Sequence, residues 1–240
     1  MKRLLSGVDR RTALGGGGAL LSAVLLGFGI FSIVSALTDD GVSLPQQGSI
    51  QDIIGADGAP ANQQVPAVSA PTGPPPVRIA IPRLYIDAPI VVLGLDANRY
   101  PYVPSRPDQV AWYDFSAAPG RASNAVFAGH VDWQTRNGDP IPGVFYRLRE
   151  LEIGDEITLN LEDGEQLQYK VTGNVATLYN DPNLVKAMDL TSNDVVTLIT
   201  CGGAWAQDPS EPEGGNYSHR VIVRAERVAG FAGPPPIAGG

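Results

Sequence analysis

The sequence predicts a mostly β domain, and three observations predict it. Short β-branched and apolar runs recur between turn signals from Val77 to about Val228. Helical stretches are rare and short. Asp163-Gly164 separates two alternating segments, Ile157, Leu159 and Leu161 before it and Leu167, Tyr169 and Val171 after it, which is a strong hairpin signal. Many short strands with few helices make a barrel or a sandwich.

The elements follow in order. Residues 1–11 carry Lys2, Arg3, Arg10 and Arg11, and no charge appears again until Asp39. The uncharged span 12–38 is long enough to cross a bilayer as a helix of roughly 20 residues. Basic residues before it and Asp39-Asp40 after it put residues 1–11 in the cytoplasm and the rest outside. Val34-Ser35-Ala36 offers a signal-peptidase alternative, but signal h-regions run about 7–15 residues, shorter than this one. The expected state is a single-pass anchor in the cell membrane with an extracytoplasmic domain.

Residues 39–76 are Pro, Gly, Gln, Ala and Asp with few large apolar side chains, and read as a disordered linker. Pro74-Pro75-Pro76 stiffens its end. Residues 77–229 form the domain. Its expected strands are Val77–Ile81, Ala88–Leu93, Ala125–His130, Glu156–Leu161, Gln166–Val175, Val195–Cys201 and Arg220–Glu226. Val144–Leu151 and Pro182–Leu190 read as short helical turns. Residues 230–240 read as a disordered tail, and no internal repeat is present.

A formal net charge of −8 disfavours nonspecific binding to nucleic acid, so no nucleic-acid partner is expected. No Cys/His cluster has zinc spacing, and the run of glycines at 15–18 lacks the lysine of a phosphate loop. Glu150, Glu152, Asp155 and Glu156 lack the regular spacing of a calcium loop and read as a solvated turn. No metal site is expected.

The chemistry-bearing residues lie at strand ends. Cys201 is the single cysteine and cannot close an internal disulfide, so it is either inert packing or a nucleophile. It ends the run Val195–Cys201 and precedes Gly202-Gly203, whose backbone N–H groups allow close approach. His130, one of two histidines, ends Ala125–His130, and Arg220 opens Arg220–Glu226. A thiolate attacks a carbonyl, an imidazole moves the proton, and a guanidinium steadies an oxyanion. His219 competes with His130 as the base, but successive strand residues face opposite ways, so it turns away if Arg220 faces the cleft. Asp132 is a candidate to orient the imidazole or a turn carboxylate. Trp133 and Trp205 either line a groove or pack under a loop.

These residues resemble a family. Thr197-Leu198-Ile199-Thr200-Cys201 is similar to the TLxTC signature of sortases, the cysteine transpeptidases of the bacterial surface. Ala128-Gly129-His130 resembles their histidine motif, and Arg220 before Val221-Ile222-Val223 resembles the arginine of their last strand. The order His, Cys, Arg is kept from Val77 to Val228. Ile81-Pro82, Ile86-Asp87-Ala88-Pro89, Gly129-His130-Val131-Asp132, Val144-Phe145, Gly154-Asp155 and Cys201-Gly202-Gly203 look most similar to class F. Ala204-Trp205-Ala206 departs from the aromatic-acidic pair expected there, and the loop Gln207–Tyr217 is longer than expected.

The resemblance implies an eight-stranded sortase-type β-barrel that needs no cofactor. It implies cleavage of a C-terminal LPxTG-type sorting signal on substrate proteins through a thioacyl intermediate on Cys201. An amine from a cell-wall precursor or a pilin lysine would resolve that intermediate. His130 is the implied acid and base, Arg220 the oxyanion or substrate ligand, and Thr200, Gly202, Trp205 and Trp133 the implied substrate contacts. Two alternatives stay open: a thiol endopeptidase with water as acceptor, and a non-catalytic tethered binding domain.

Overall fold

The computed structural model describes residues 50–54, 72–209 and 214–229. The expected anchor at 12–38, most of the linker and the tail at 230–240 lie outside the described residues. Among the described residues, no helix is long and apolar enough to cross a membrane.

Among the described residues, ten strands form: β1 (Pro76–Ile81), β2 (Ile86–Leu93), β3 (Val110–Tyr113), β4 (Asn124–Gly129), β5 (Asp132–Gln134), β6 (Pro140–Pro142), β7 (Glu156–Leu161), β8 (Gln166–Leu178), β9 (Val195–Gln207) and β10 (Gly215–Arg227). Eight of them close a barrel in the order β1-β2-β3-β4-β9-β10-β8-β7, and β5 and β6 form a separate hairpin. The β2–β3 and β4–β9 pairs are parallel. Alternating side chains fill the barrel, with Ile79, Phe127, Ile157, Leu159, Tyr169, Leu198 and Val223 buried in one core.

The hairpin read at Asp163-Gly164 joins β7 to β8. Gly164 has a positive φ there, and Asp163 accepts a hydrogen bond from the Glu165 amide. Other elements differ from the sequence reading. β3 was not expected because all four of its residues are buried, which erases the period-2 alternation. β9 and β10 run together well beyond Cys201 and before Arg220, as an arm that pairs Trp205 with Tyr217. The two helical turns shrink to 3-10 turns at Leu148–Glu150 and Leu184–Met188.

The linker expectation is corrected at 50–54 and at Pro76, which opens β1. Ile50–Ile54 forms a short helix, α1, with Ile50 and Ile53 buried. They pack with Val175, Ala187 and Ile222 on the outside of the barrel. Two isoleucines at i and i+3 give one apolar edge, which is enough to dock a single turn on a preformed surface. Asn124 secures the same region. Its amide donates to the carbonyls of Ala187 and Asp189, and its oxygen accepts from Thr197 Oγ1 at 2.7 Å.

The acidic cluster is paired rather than simply solvated. Arg83 meets Glu152 at 2.6 Å and Asp155 at 3.7 Å, and Arg147 meets Glu150 at 2.6 Å. Among the described residues, no group of three or more potential ligands is gathered for a metal.

Candidate active site

The site is built by strand register. On β9, Val196 and Leu198 point into the barrel, so Thr197, Ile199 and Cys201 point outward. On β10, Val221 and Val223 point inward and Ile222 outward, which places Arg220 on the outer face too. Arg220 is the direct cross-strand partner of Cys201. On β4, Ala125 and Phe127 point inward and Val126 outward. β4 pairs with β9 as Ala128↔Ile199, and two residues further along this register bring His130 level with Cys201. The barrel order β4-β9-β10 therefore sets Cys201 and Arg220 side by side, with His130, the residue that follows the end of β4, on the other side of β9. All three are half-buried, and Cys201 is in no disulfide.

His130 and Arg220 are both held. His130 Nε2 donates to the Pro104 carbonyl at 2.6 Å. A carbonyl only accepts, so Nε2 carries the proton and Nδ1 is the basic nitrogen of the neutral ring. Trp133 stands edge-on to the imidazole with centroids 4.9 Å apart. Arg220 Nη1 donates to the carbonyls of Tyr217 and His219, and Nη2 donates to Asn216 Oδ1 at 2.8 Å. Its guanidinium also lies 5.9 Å from the Tyr179 ring centroid, within cation–π range.

Backbone glycines shape the cleft. A Cβ on Gly143 would lie 2.3 Å from the His130 carbonyl oxygen, so only glycine allows that segment to pass behind the histidine. Gly203 has φ +75°, and a Cβ there would strike Ser218 Oγ at 2.3 Å.

Two tyrosines near the site are raised above their ordinary range. Burial, with a further contribution from the charge of Cys201, pushes Tyr113 up to about 12. Tyr217 is also raised, first by burial, then by its hydrogen bond to Asp132 and the charges of Asp132 and Cys201. Both stay neutral at ordinary pH. An arrangement of thiol, imidazole and guanidinium can perform nucleophilic attack, proton transfer and oxyanion stabilisation.

Residues 79–228 match the sortase-domain family model. The chain belongs to the sortase family. Members of this family are cysteine transpeptidases acting on sorting signals. Solved sortases resemble this one at low identity. Sortase A from Corynebacterium diphtheriae is 26% identical, covering 69% of this chain and 66% of that one, with a TM-score of 0.44. Sortase C-1 from Actinomyces oris is 25% identical over 63% of this chain and 72% of that one, TM-score 0.44. The sortase D5 transpeptidase from Clostridium perfringens is 21% identical over 63% and 77%, TM-score 0.43. No curated protein matches the chain.

Within this sortase domain, some residues singled out from sequence take other places. Thr200 is 4% exposed, and its hydroxyl donates to the Gly129 carbonyl at 2.8 Å. Alternation turns its side chain away from Cys201, and it clamps β9 to β4. Gly202 is buried beside its partner His219. Trp205 is 45% exposed and stands edge-on to Tyr217, with centroids 5.1 Å apart. Asp132 accepts from the Tyr217 hydroxyl, and the imidazole takes the Pro104 carbonyl instead. His219 shares a 2.8 Å hydrogen bond with Ser218, and burial lowers its pKa.

Sequence reasoning missed Pro104, Asn216, Tyr217 and Tyr179. Pro104 lies 26 residues from His130, and no local pattern links them. Tyr217 had a signal: it stands three residues before Arg220, and Trp205 stands four after Cys201. An unbroken extension of the β9–β10 pairing would have set Trp205 opposite Asn216, and the register shift between Tyr217 and His219 moves it to Tyr217. Gly202-Gly203 and the Pro- and Glu-rich loop read instead as the end of the strands.

Proposed function

We propose that this chain is a membrane-anchored sortase, most similar to class F, that cleaves a C-terminal LPxTG-type signal and transfers the protein to a cell-surface amine. The observation that supports this reading is the pairing of Cys201 with Arg220 on β9 and β10, with the β4–β9 register, continued two residues past its last pair, bringing His130 level with Cys201. The uncharged span at 12–38 between basic and acidic flanks supports a single-pass anchor with the domain outside the cytoplasm.

The Cys201 thiol gives its proton to His130 Nδ1, and the thiolate attacks the threonine carbonyl carbon of the signal. A C–S bond forms, and the oxyanion that develops is met by Arg220 and by N–H groups at Gly202-Gly203. The C–N bond then breaks, and His130 gives the leaving amine its proton. In the second half, the acceptor amine attacks the thioester carbon and loses a proton to His130. The C–S bond breaks, and the thiolate is restored. Trp133 and Trp205 are the proposed walls for the peptide. Nothing in these steps calls for a cofactor.

The test incubates the full-length chain with LPxTG-type peptides and excess amine, followed by intact mass spectrometry. The expected result is a peptide adduct on Cys201 plus ligated product, both lost in Cys201→Ala. An adduct that only water resolves would reassign the acceptor. Undiminished turnover by Cys201→Ala would overturn the mechanism.

A further inference from the structure

The segment leaving His130 and the strand entering Arg220 are joined by one side-chain hydrogen bond. Tyr217 donates from its hydroxyl to Asp132 Oδ2. Asp132 opens β5, two residues after His130, and Tyr217 lies on β10, three residues before Arg220. β9, which carries Cys201, lies between β4 and β10 in the barrel. The bond therefore reaches across β9 from one catalytic wall to the other.

Both ends of this bond connect to catalytic groups. The Tyr217 carbonyl accepts from Arg220 Nη1 at 3.2 Å, so the residue that donates to Asp132 also seats the guanidinium. Trp133, next to Asp132, stands edge-on to the His130 ring. The Tyr217 ring is braced from behind by Trp205. The β9–β10 register shifts between Tyr217 and His219, so the ladder is interrupted where the arm leaves the barrel. An arm beyond a bulge is guided weakly by its own ladder, and a side-chain tie there has more to hold.

We propose that the Tyr217–Asp132 hydrogen bond is a strut that spans the cleft and fixes Arg220 and His130 on either side of Cys201. Tyr217 and Asp132 are positioning residues, and this role in acyl transfer rests on the function proposed above. Aligned geometry accounts for a large share of such rates, and a displacement of about 1 Å can cost on the order of 100-fold.

The test uses the full-length chain and four variants: Tyr217→Phe, Asp132→Ala, the double variant, and Asp132→Asn, which keeps an acceptor oxygen. Single-turnover acylation of Cys201 is followed against peptide concentration, beside hydrogen exchange over 132–142, 203–207 and 215–219. Tyr217→Phe and Asp132→Ala are each expected to lower the saturating rate about 10-fold with KM changed less than about 2-fold. The double variant is expected to be no slower than the singles, and Asp132→Asn to keep most of the rate. Exchange should rise on both walls when the bond is lost.

Multiplicative losses in the double variant, rates within about 2-fold of wild type, or a loss confined to KM would each overturn the strut. A wild-type chain that no signal peptide acylates would overturn the transpeptidase reading instead. The strut is then decided by exchange alone: a rise on both walls supports it, and unchanged exchange overturns it.

Discussion

Thr200 Oγ1 donates to the Gly129 carbonyl at 2.8 Å, and the next residues along the two strands are Cys201 and His130. The thiol and the imidazole are thus spaced by a side-chain clamp one position away. Thr200→Val keeps the shape and removes the donor, leaving a partly buried carbonyl short of one partner. The expected cost is about 1 kcal/mol of stability. The acylation rate should fall more than the folded fraction does, because β4 and β9 part at the catalytic end. Urea denaturation and single-turnover acylation check this; an unchanged rate beside lowered stability would confine the clamp to folding.

Gly143 passes close behind His130. An added Cβ would lie 2.3 Å from the His130 oxygen and 2.6 Å from its carbonyl carbon, both backbone atoms that cannot rotate aside. The segment is also tied in, with Gly143 N donating to the Val131 carbonyl and Phe145 N to the His130 carbonyl, each at 2.9 Å. Gly143→Ala must therefore displace the histidine backbone. The expected result is a loss of about 1–3 kcal/mol from overpacking and a fall in acylation of about 10-fold or more. Thermal melting and the acylation assay check it; wild-type values in both would mean the loop relaxes freely.

How much of this was legible in the sequence differs by element. Strands with one buried face, such as β7 and β8, announce themselves because Ile157, Leu159 and Leu161 alternate with polar neighbours. β3 does not, since Val110 to Tyr113 are buried on both faces. Cys201, His130 and Arg220 stood out because each adjoins a recognisable motif, although Cys201 and Arg220 lie mid-strand in β9 and β10 rather than at strand ends. Their supports were not. The Pro104 carbonyl and the Asp132–Tyr217 bond depend on which loops the closed barrel brings together. The helix α1 was hidden because five residues with three isoleucines look like a fluctuation in a polar linker, and only the surface of Val175, Ala187 and Ile222 gives them a place to bury.

That docking makes its own prediction. Ile53 is 7% exposed and packs on the outer cluster, with its Cγ1 3.4 Å from where a Cβ of Gly173 would lie. Ile53→Ala should cost about 2 kcal/mol, the low end for a buried isoleucine because α1 is a peripheral turn. Proteolysis between residues 54 and 72 should quicken as the turn lifts away. Chemical denaturation and limited digestion check this, and an unaffected midpoint would mean that α1 adds nothing to the stability of the barrel.

The two histidines should separate by substitution. Burial lowers the pKa of His219 below its ordinary value, so the folded state resists its protonation. Between the lowered folded value and the ordinary unfolded value of about 6.5, the unfolded chain binds more protons. The contribution of His219 to stability is therefore complete above pH of about 6.5, falls as pH drops through that window, and levels off below the folded value. His219→Gln removes this dependence and leaves the remaining titrations in place. Subtracting its melting temperatures from those of the wild type, from pH 8 to pH 5, should give a difference that declines toward low pH. The same variant should acylate Cys201 within a few-fold of wild type, since His219 bonds to Ser218 and lies beside Gly202, one register position from the Cys201–Arg220 pair. His130→Gln should abolish acylation. A His219 variant as inactive as the His130 one would transfer the proton-moving role to His219, and a flat temperature difference would show that its burial carries no protonation cost.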